Sequence, residues 1–541
     1  SMGDYIGVWT KAQQGTAKGA KANATKDNSL SWIWDNIVNY TWKKSVHSIT
    51  ATGVFSAQKY QYDRLYGASK DLSFNSLWYN LNGGAIESLS SNFSQWTMMS
   101  YVGRINYGLM DRYLLTASLR YDGSSRLSEG NKWALFPSAA IAWRITEEDF
   151  AKNLDWLSNL KLRFSYGQAG NTNSVSPYAS EGTISGSVYY PFGTSTSVGN
   201  LPANIANPML TWERTSEYNV GLDFGFLNQR ISGNIEYYNR TTNDLLMKRN
   251  IPVHLGYSSV TSNVGSVRNS GFELQLNTAN IMTKNFAWNT TINLAYNKNE
   301  IVSLADEEDL SNYSIHLQGM RGRYSDKRFI GKPVDTNWTQ NTIGVWQLGE
   351  EEEAAKYGCV PGNFKIKDYN NDGKLTDDDY IIDGKRTPDW TGGMTNMFKI
   401  YDFDFSFHMY FQAGATQYDR FFENFALEWN SQNFNNLRTN YWTPENPSNT
   451  MGRPSQMGSR GNIAYERTDF LKVSYITLGY TLNKRLMSKW GLDNARIYVT
   501  VQNPFILTKF RGLDPEQPDL TNIGDTDGMT MNALLGVNIS F

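Results

Sequence analysis

The stretch "KDYNNDGKLTDDDY", Lys367 to Tyr380, gathers five aspartates around one glycine. Asp368, Asn370 and Asp372 take positions 1, 3 and 5 of a calcium loop, with Gly373 at 6, Lys374 at 7, Thr376 at 9 and Asp379 at 12. Each type has a reason. Carboxylate, amide and hydroxyl oxygens are the hard donors calcium prefers, Lys374 would offer its backbone carbonyl, and glycine permits the sharp turn. Asp at position 12 reaches less far than Glu, and the flanks "NFKIK" and "YIID" read as strand rather than helix. The expectation is a structural Ca2+ that stiffens a long loop; the alternative is a surface turn rich in Asp, Asn and Gly.

Other chemistry is sparse. His47, His254, His316 and His408 have no metal-ligand spacing, and Cys359 is a lone cysteine without a partner in sequence. Glu350 to Glu353 read as the acidic first turn of a short solvated helix. "DPEQPD", Asp514 to Asp519, sits in a proline-rich segment rather than on a framework that would hold two carboxylates for glycoside hydrolysis. No phosphate-cradling glycine loop or nucleophile elbow occurs, so no catalysis is expected. A formal net charge of -2 over 541 residues gives no reason to expect nucleic acid.

The elements that carry these residues alternate. In "DFDFSFHMYFQ", Phe403, Phe405, Phe407, Met409 and Phe411 share one strand face and Asp404, Ser406, His408, Tyr410 and Gln412 the other. "RYLLTASLRYD", "LKLRFSYG" and "FAWNTTINLAYN" repeat the pattern. Strands of this kind are expected near 30–42, 46–57, 97–107, 112–122, 134–145, 160–170, 216–225, 229–240, 267–278, 285–297, 391–400, 403–415, 472–482, 495–508 and 531–541. Their length, about 9 to 13 residues, suits a tilted membrane strand better than a soluble sandwich. Connectors go tight, long, tight, long, as in an outer-membrane barrel. The closing "LLGVNISF" alternates and ends on an aromatic. The fold class is therefore all-β, a transmembrane antiparallel barrel wall of about fifteen strands.

Six segments carry a family resemblance: "DRYLLTASLRYDGSSRL", "NKWALFPSAAIAWRITEE", "WLSNLKLRFSYGQAGNTN", "NVGSVRNSGFELQL", "DFLKVSYITLGYTLNKRL" and "RIYVTVQNPFILTKFRGLDPE". In order and spacing they resemble the SusC-like (SusC/RagA) TonB-dependent outer-membrane transporters of Bacteroidetes. The resemblance implies a 22-stranded barrel with a plugged lumen, a SusD-like surface lipoprotein as lid, energy from the TonB complex acting on the plug, and import of an oligosaccharide or peptide. No segment here resembles the family's N-terminal extension, plug or TonB box. Residues 1–541 are thus expected to be the C-terminal portion of the barrel, with the calcium motif in an extracellular insert near 302–390. The plug and first strands would come from a companion segment, because open sheet edges cannot rest in lipid. Candidate ligand contacts are the loop aromatics Trp78, Tyr79, Tyr189, Tyr190, Phe192, Trp429 and Trp442, whose rings suit sugar faces; loop packing or lid contact is the alternative for each. A non-transporting glycan-binding adhesin is the second functional reading.

Overall fold

The computed structural model describes residues 5–6, 20–72, 80–193, 195–251, 254, 257, 259–427, 439–454, 459–483, 487, 491–518 and 529–540. One 16-stranded sheet dominates. It begins with a two-residue piece, Tyr5–Ile6, and continues through β1 (Ala20–Lys44), β2 (His47–Leu72), β3 (Ala85–Leu109), β4 (Tyr113–Ser124) and β5 (Trp133–Arg144). Next come β6 (Leu157–Asn171), β7 (Glu213–Phe226), β8 (Ile231–Asn243), β9 (Ser266–Met282) and β10 (Phe286–Ser303). β11 (Trp390–Ile400), β12 (Phe403–Ala413), β13 (Phe470–Thr481), β14 (Asn494–Thr508) and β15 (Asn532–Ser540) complete it. Every long strand pairs antiparallel with the next in the chain, and among the described residues no ladder joins β15 back to the first strand.

All fifteen expected strands are present. The departure lies at the start, where β1, β2 and β3 run 25, 26 and 25 residues. Much of what reads as a long connector after residue 57 is ladder, and Ala68 still pairs with Ser88. The upper halves of these strands, such as "ATKDNS" and "ESLSSN", are polar on both faces and so show no apolar alternation.

Register places like with like. Tyr113 stands opposite Trp143, Leu115 opposite Ile141, and Leu119 opposite Pro137, all on the outer face. That face is bare: Ile141 keeps 56% of its surface, Phe403 49% and Leu535 71%. A continuous apolar surface of this size needs hydrocarbon against it. Phe405 and Phe407 on the same face are half-buried, each packing on Phe398 and on the other. The outer face also carries one polar group that the alternation hides. Asn396 Oδ1 accepts from Trp288 Nε1 (2.9 Å) and Thr290 Oγ1 (2.7 Å), and Thr290 Oγ1 in turn accepts from Asn280 (2.8 Å), so this polar cluster is paired on the lipid side.

The tight turns gather at one end of the sheet. "LNQ" places Leu227, Asn228 and Gln229 all at positive φ, and Tyr401 turns β11 into β12 at φ 54. The opposite end carries the long loops with their own short strands and cores.

Candidate functional site

Two surfaces can meet a solute: the inner wall of the sheet and the loop assembly above it. On the inner wall Arg163 Nη2 reaches Asp223 (2.7 Å) and Glu236 (2.8 Å), while Lys161 approaches Asp223 at 3.3 Å. Asn219 and Asn234 also donate to Glu236. Further round, Arg496 pairs with Asp404 and Arg120 with Asp122. This is the wet face that alternation predicts, charged but internally balanced. A hollow of about 390 Å³ opens in it, lined by Glu236, Glu273, Gln275, Asn293, His408 and Tyr410 among others. His408 is a wall residue, its Nδ1 2.9 Å from Thr395 Oγ1.

The loop between β10 and β11 and the loop between β12 and β13 fold into one body. Val345, Phe364 and Ile366 of the first pack with Phe422, Ala426, Trp442, Met451 and Ala464 of the second. Hydrogen bonds stitch the seam: Asn337 to the Thr416 carbonyl (2.7 Å), Thr342 Oγ1 to the Arg460 carbonyl (2.8 Å), and Asn462 to Asp383 (2.9 Å). Gly362 lies at φ +88 against the Trp442 ring, so this point of the seam tolerates neither an ordinary φ nor a side chain.

Trp442 is buried at 5% exposure and donates its indole N–H to Gln347 (3.0 Å). Its expected place as a ligand platform is therefore corrected: it is packing, because the second loop folds down over the first. Tyr189, Tyr190 and Phe192 sit on the hairpin Thr183–Phe192 with Ser195–Asn204, and all three rings are exposed. Trp78, Tyr79 and Trp429 lie outside the described residues. Glu351–Lys356 is the expected short acidic helix.

The Lys367 to Tyr380 segment is a closed turn held by its own backbone. Asp368 accepts from the N–H groups of Asn371 (2.6 Å) and Gly373 (2.9 Å) and from the Tyr357 hydroxyl (3.0 Å). Burial pushes the Asp368 pKa up, but the Gly373 N–H, the Tyr357 hydroxyl and the Asn371 N–H outweigh it and hold the carboxyl below the usual carboxylate range. Asp379, fully buried, accepts from Tyr369 N (2.8 Å) and Thr376 N (2.9 Å). Asn370 and Asp372 make the same local turns, to Asp372 N and Lys374 N. The donor types suit a hard cation, yet among the described residues no three His, Cys, Asp or Glu side chains converge as a metal cage. Hydrogen bonds to backbone N–H groups hold Asp368, Asn370, Asp372 and Asp379 in their present orientations.

The family model described as "TonB dependent receptor-like, beta-barrel" matches residues 4–391. A TonB-dependent receptor P26 of Formosa agariphila is 32% identical over 548 residues, covering 97% of this chain and 54% of the relative. TonB-dependent receptor SusC of Bacteroides thetaiotaomicron is 35% identical over 457 residues, 82% of this chain and 44% of that protein. The chain thus spans about half the length of the curated relatives it matches. Among solved structures, that of the RagAB peptide transporter superposes with a TM-score of 0.77 at 24% identity, covering 96% of this chain and 56% of the other, a likeness of fold.

Proposed function

The chain belongs to the TonB-dependent receptor β-barrel family of the outer membrane, and from that premise we propose that it forms the C-terminal wall and outer loops of a SusC-like importer. The observation that carries this reading is the two-faced wall, apolar toward lipid and charged toward an interior too polar to be a core. In the proposal a companion segment supplies the remaining strands and a plug, and a SusD-like lipoprotein closes over the loop body. The TonB complex pulls on the plug to open the path. The cargo is an oligosaccharide, or else a peptide, first met by exposed loop rings such as Tyr189, Tyr190 and Phe192. Support for the companion segment comes from the half-length coverage of the relatives and from the open order of the sheet.

The experiment is uptake of labelled oligosaccharides and peptides by cells bearing the receptor, with and without a working TonB complex. Import that stops without TonB while surface binding persists supports the proposal. Binding with no import in either background refutes it and selects the adhesin reading.

Calcium at Asp368, Asn370, Asp372, Lys374, Thr376 and Asp379 is proposed on the spacing alone. Each Asp379 oxygen accepts a single N–H and retains a second lone pair, which a cation could use without breaking that bond.

A further inference from the structure

The outer face of β3 to β6 is not evenly filled near the tight-turn end. Two rows of side chains cross these four strands: Tyr107, Leu115, Ile141 and Phe164 in one, Leu109, Tyr113, Trp143 and Leu162 in the other. Between them lies a hollow of about 470 Å³ lined by these side chains and by Leu114 and Ala142. Its lower wall is fixed in place. The Tyr113 hydroxyl (2.6 Å) and the Trp143 indole N–H (3.0 Å) both donate to Glu148 Oε1, so neither ring is free to swing inward and close the space.

The rim below is charged and balanced. Arg112 pairs with Glu148 (3.0 Å) and Asp149 (3.4 Å), Arg144 with Glu147 (3.2 Å), and Lys152 with Asp149 (2.9 Å). Beside it Phe150 and Trp156 are exposed, as aromatic groups are at the level of lipid headgroups. The hollow is continuous with the hydrocarbon-facing wall, where a void forfeits dispersion contacts and only lipid tails are at hand to fill it. A purely anionic headgroup over this rim would meet Glu147 and Asp149 as well as the arginines. A zwitterion satisfies both signs, its phosphate toward Arg112 or Arg144 and its ammonium toward the carboxylates.

We propose that this hollow binds one acyl chain of a phosphoethanolamine lipid of the inner leaflet, with the headgroup on the Arg112, Arg144 and Glu147 rim. The site is independent of what the receptor imports. It is tested by native mass spectrometry of the full-length receptor, delipidated in mild detergent and titrated with phosphatidylethanolamine or phosphatidylglycerol. The wild type is expected to retain one phosphatidylethanolamine in preference to phosphatidylglycerol. Ile141→Trp and Leu162→Trp, each filling the hollow with apolar bulk, should weaken that lipid about tenfold, and Arg112→Gln should erase the preference between headgroups. Phosphatidylglycerol held as tightly as phosphatidylethanolamine by the wild type, or folded tryptophan variants that titrate like wild type, overturns the assignment. A phosphatidylethanolamine with a photoreactive tail gives a readout that needs no variant: labelling between Tyr113 and Phe164 supports the site, and labelling confined to other parts of the wall refutes it.

Discussion

Leu274 and Gln275 are neighbours at the middle of β9, and they point into different solvents. Leu274 stands opposite Ile235 and Leu294 on the outer face; Gln275 stands opposite Asn234 and Asn293 on the inner. Arginine introduced at each is therefore the same perturbation on two sides of one wall. At position 274 the guanidinium enters hydrocarbon near mid-depth, for which transmembrane barrels show a cost of about 2 to 4 kcal/mol. That is a loss of roughly 30- to 700-fold in the folded ratio. At position 275 the new charge enters a wet lumen, on the same strand face as Glu273 and close to Glu236. There its cost should be that of a surface change, within about 0.5 kcal/mol. The assay is reversible urea unfolding of the full-length receptor in phospholipid vesicles, followed by tryptophan emission and by heat-modifiable migration. Leu274→Arg should shift the midpoint strongly and Gln275→Arg hardly at all. Equal costs, or the larger one at position 275, would mean that the assignment of the two faces is wrong.

Trp442→Ala should cost about 3 to 5 kcal/mol within the loop body, read as faster amide exchange across Thr342–Val345 and Phe364–Ile366 with the wall strands unchanged; unaltered exchange would sink the shared core. Asn396→Ala strands Trp288 Nε1 and the Thr290 hydroxyl on the lipid side and should cost about 1 to 3 kcal/mol, with a wild-type unfolding midpoint as the contrary result. Burial pushes the Asp419 carboxyl up to about 6, so its contribution is full below the ordinary Asp value near 3.8 and lost as pH rises through 6; the protection of residues 418–427, taken relative to the free-peptide exchange rate at each pH, should fall from pH 5 to 7.5, and a pH-independent protection would refute this. Chelation should speed proteolysis between Lys367 and Tyr380 if calcium is bound there, and identical cleavage with and without chelator leaves only the hydrogen-bonded turn.

Most of the wall was legible because a membrane strand must solve the same problem at every second residue. Phe403, Phe405 and Phe407 repeat one answer and Asp404, Ser406 and His408 the other, which survives any uncertainty about where the strand ends. Legibility failed where that demand lapses. The upper parts of β1 to β3 stand where both faces are polar, so no alternation marks them, and the ladder extends through what reads as loop. Asn396 and Thr290 broke the pattern on the lipid side because their partners lie on three strands and become visible only once register is known. The loops were harder for a different reason. Trp442 has no periodic context, and whether a lone tryptophan meets ligand or core depends on Val345, Phe364 and Ile366 of the β10–β11 loop, far earlier in the chain, which local sequence does not report.

The union of these two loops also changes what the assembly can do. Had the β10–β11 and β12–β13 loops been separate flaps, each could open over the lumen with little loss of buried surface. They share a core, and Trp442, Phe364 and Phe422 are each at most 5% exposed within it. Parting the loops would uncover those three side chains, at roughly 1.5 to 3 kcal/mol apiece, before any hydrogen bond of the seam is counted. Opening by internal rupture is then rare, and any motion of these loops over the wall must carry the two as one body, hinged where they rejoin it at Ser303, Trp390, Ala413 and Phe470. A closing partner would press on a single preformed surface, and the contacts it makes with one loop would be felt at the strand ends of the other.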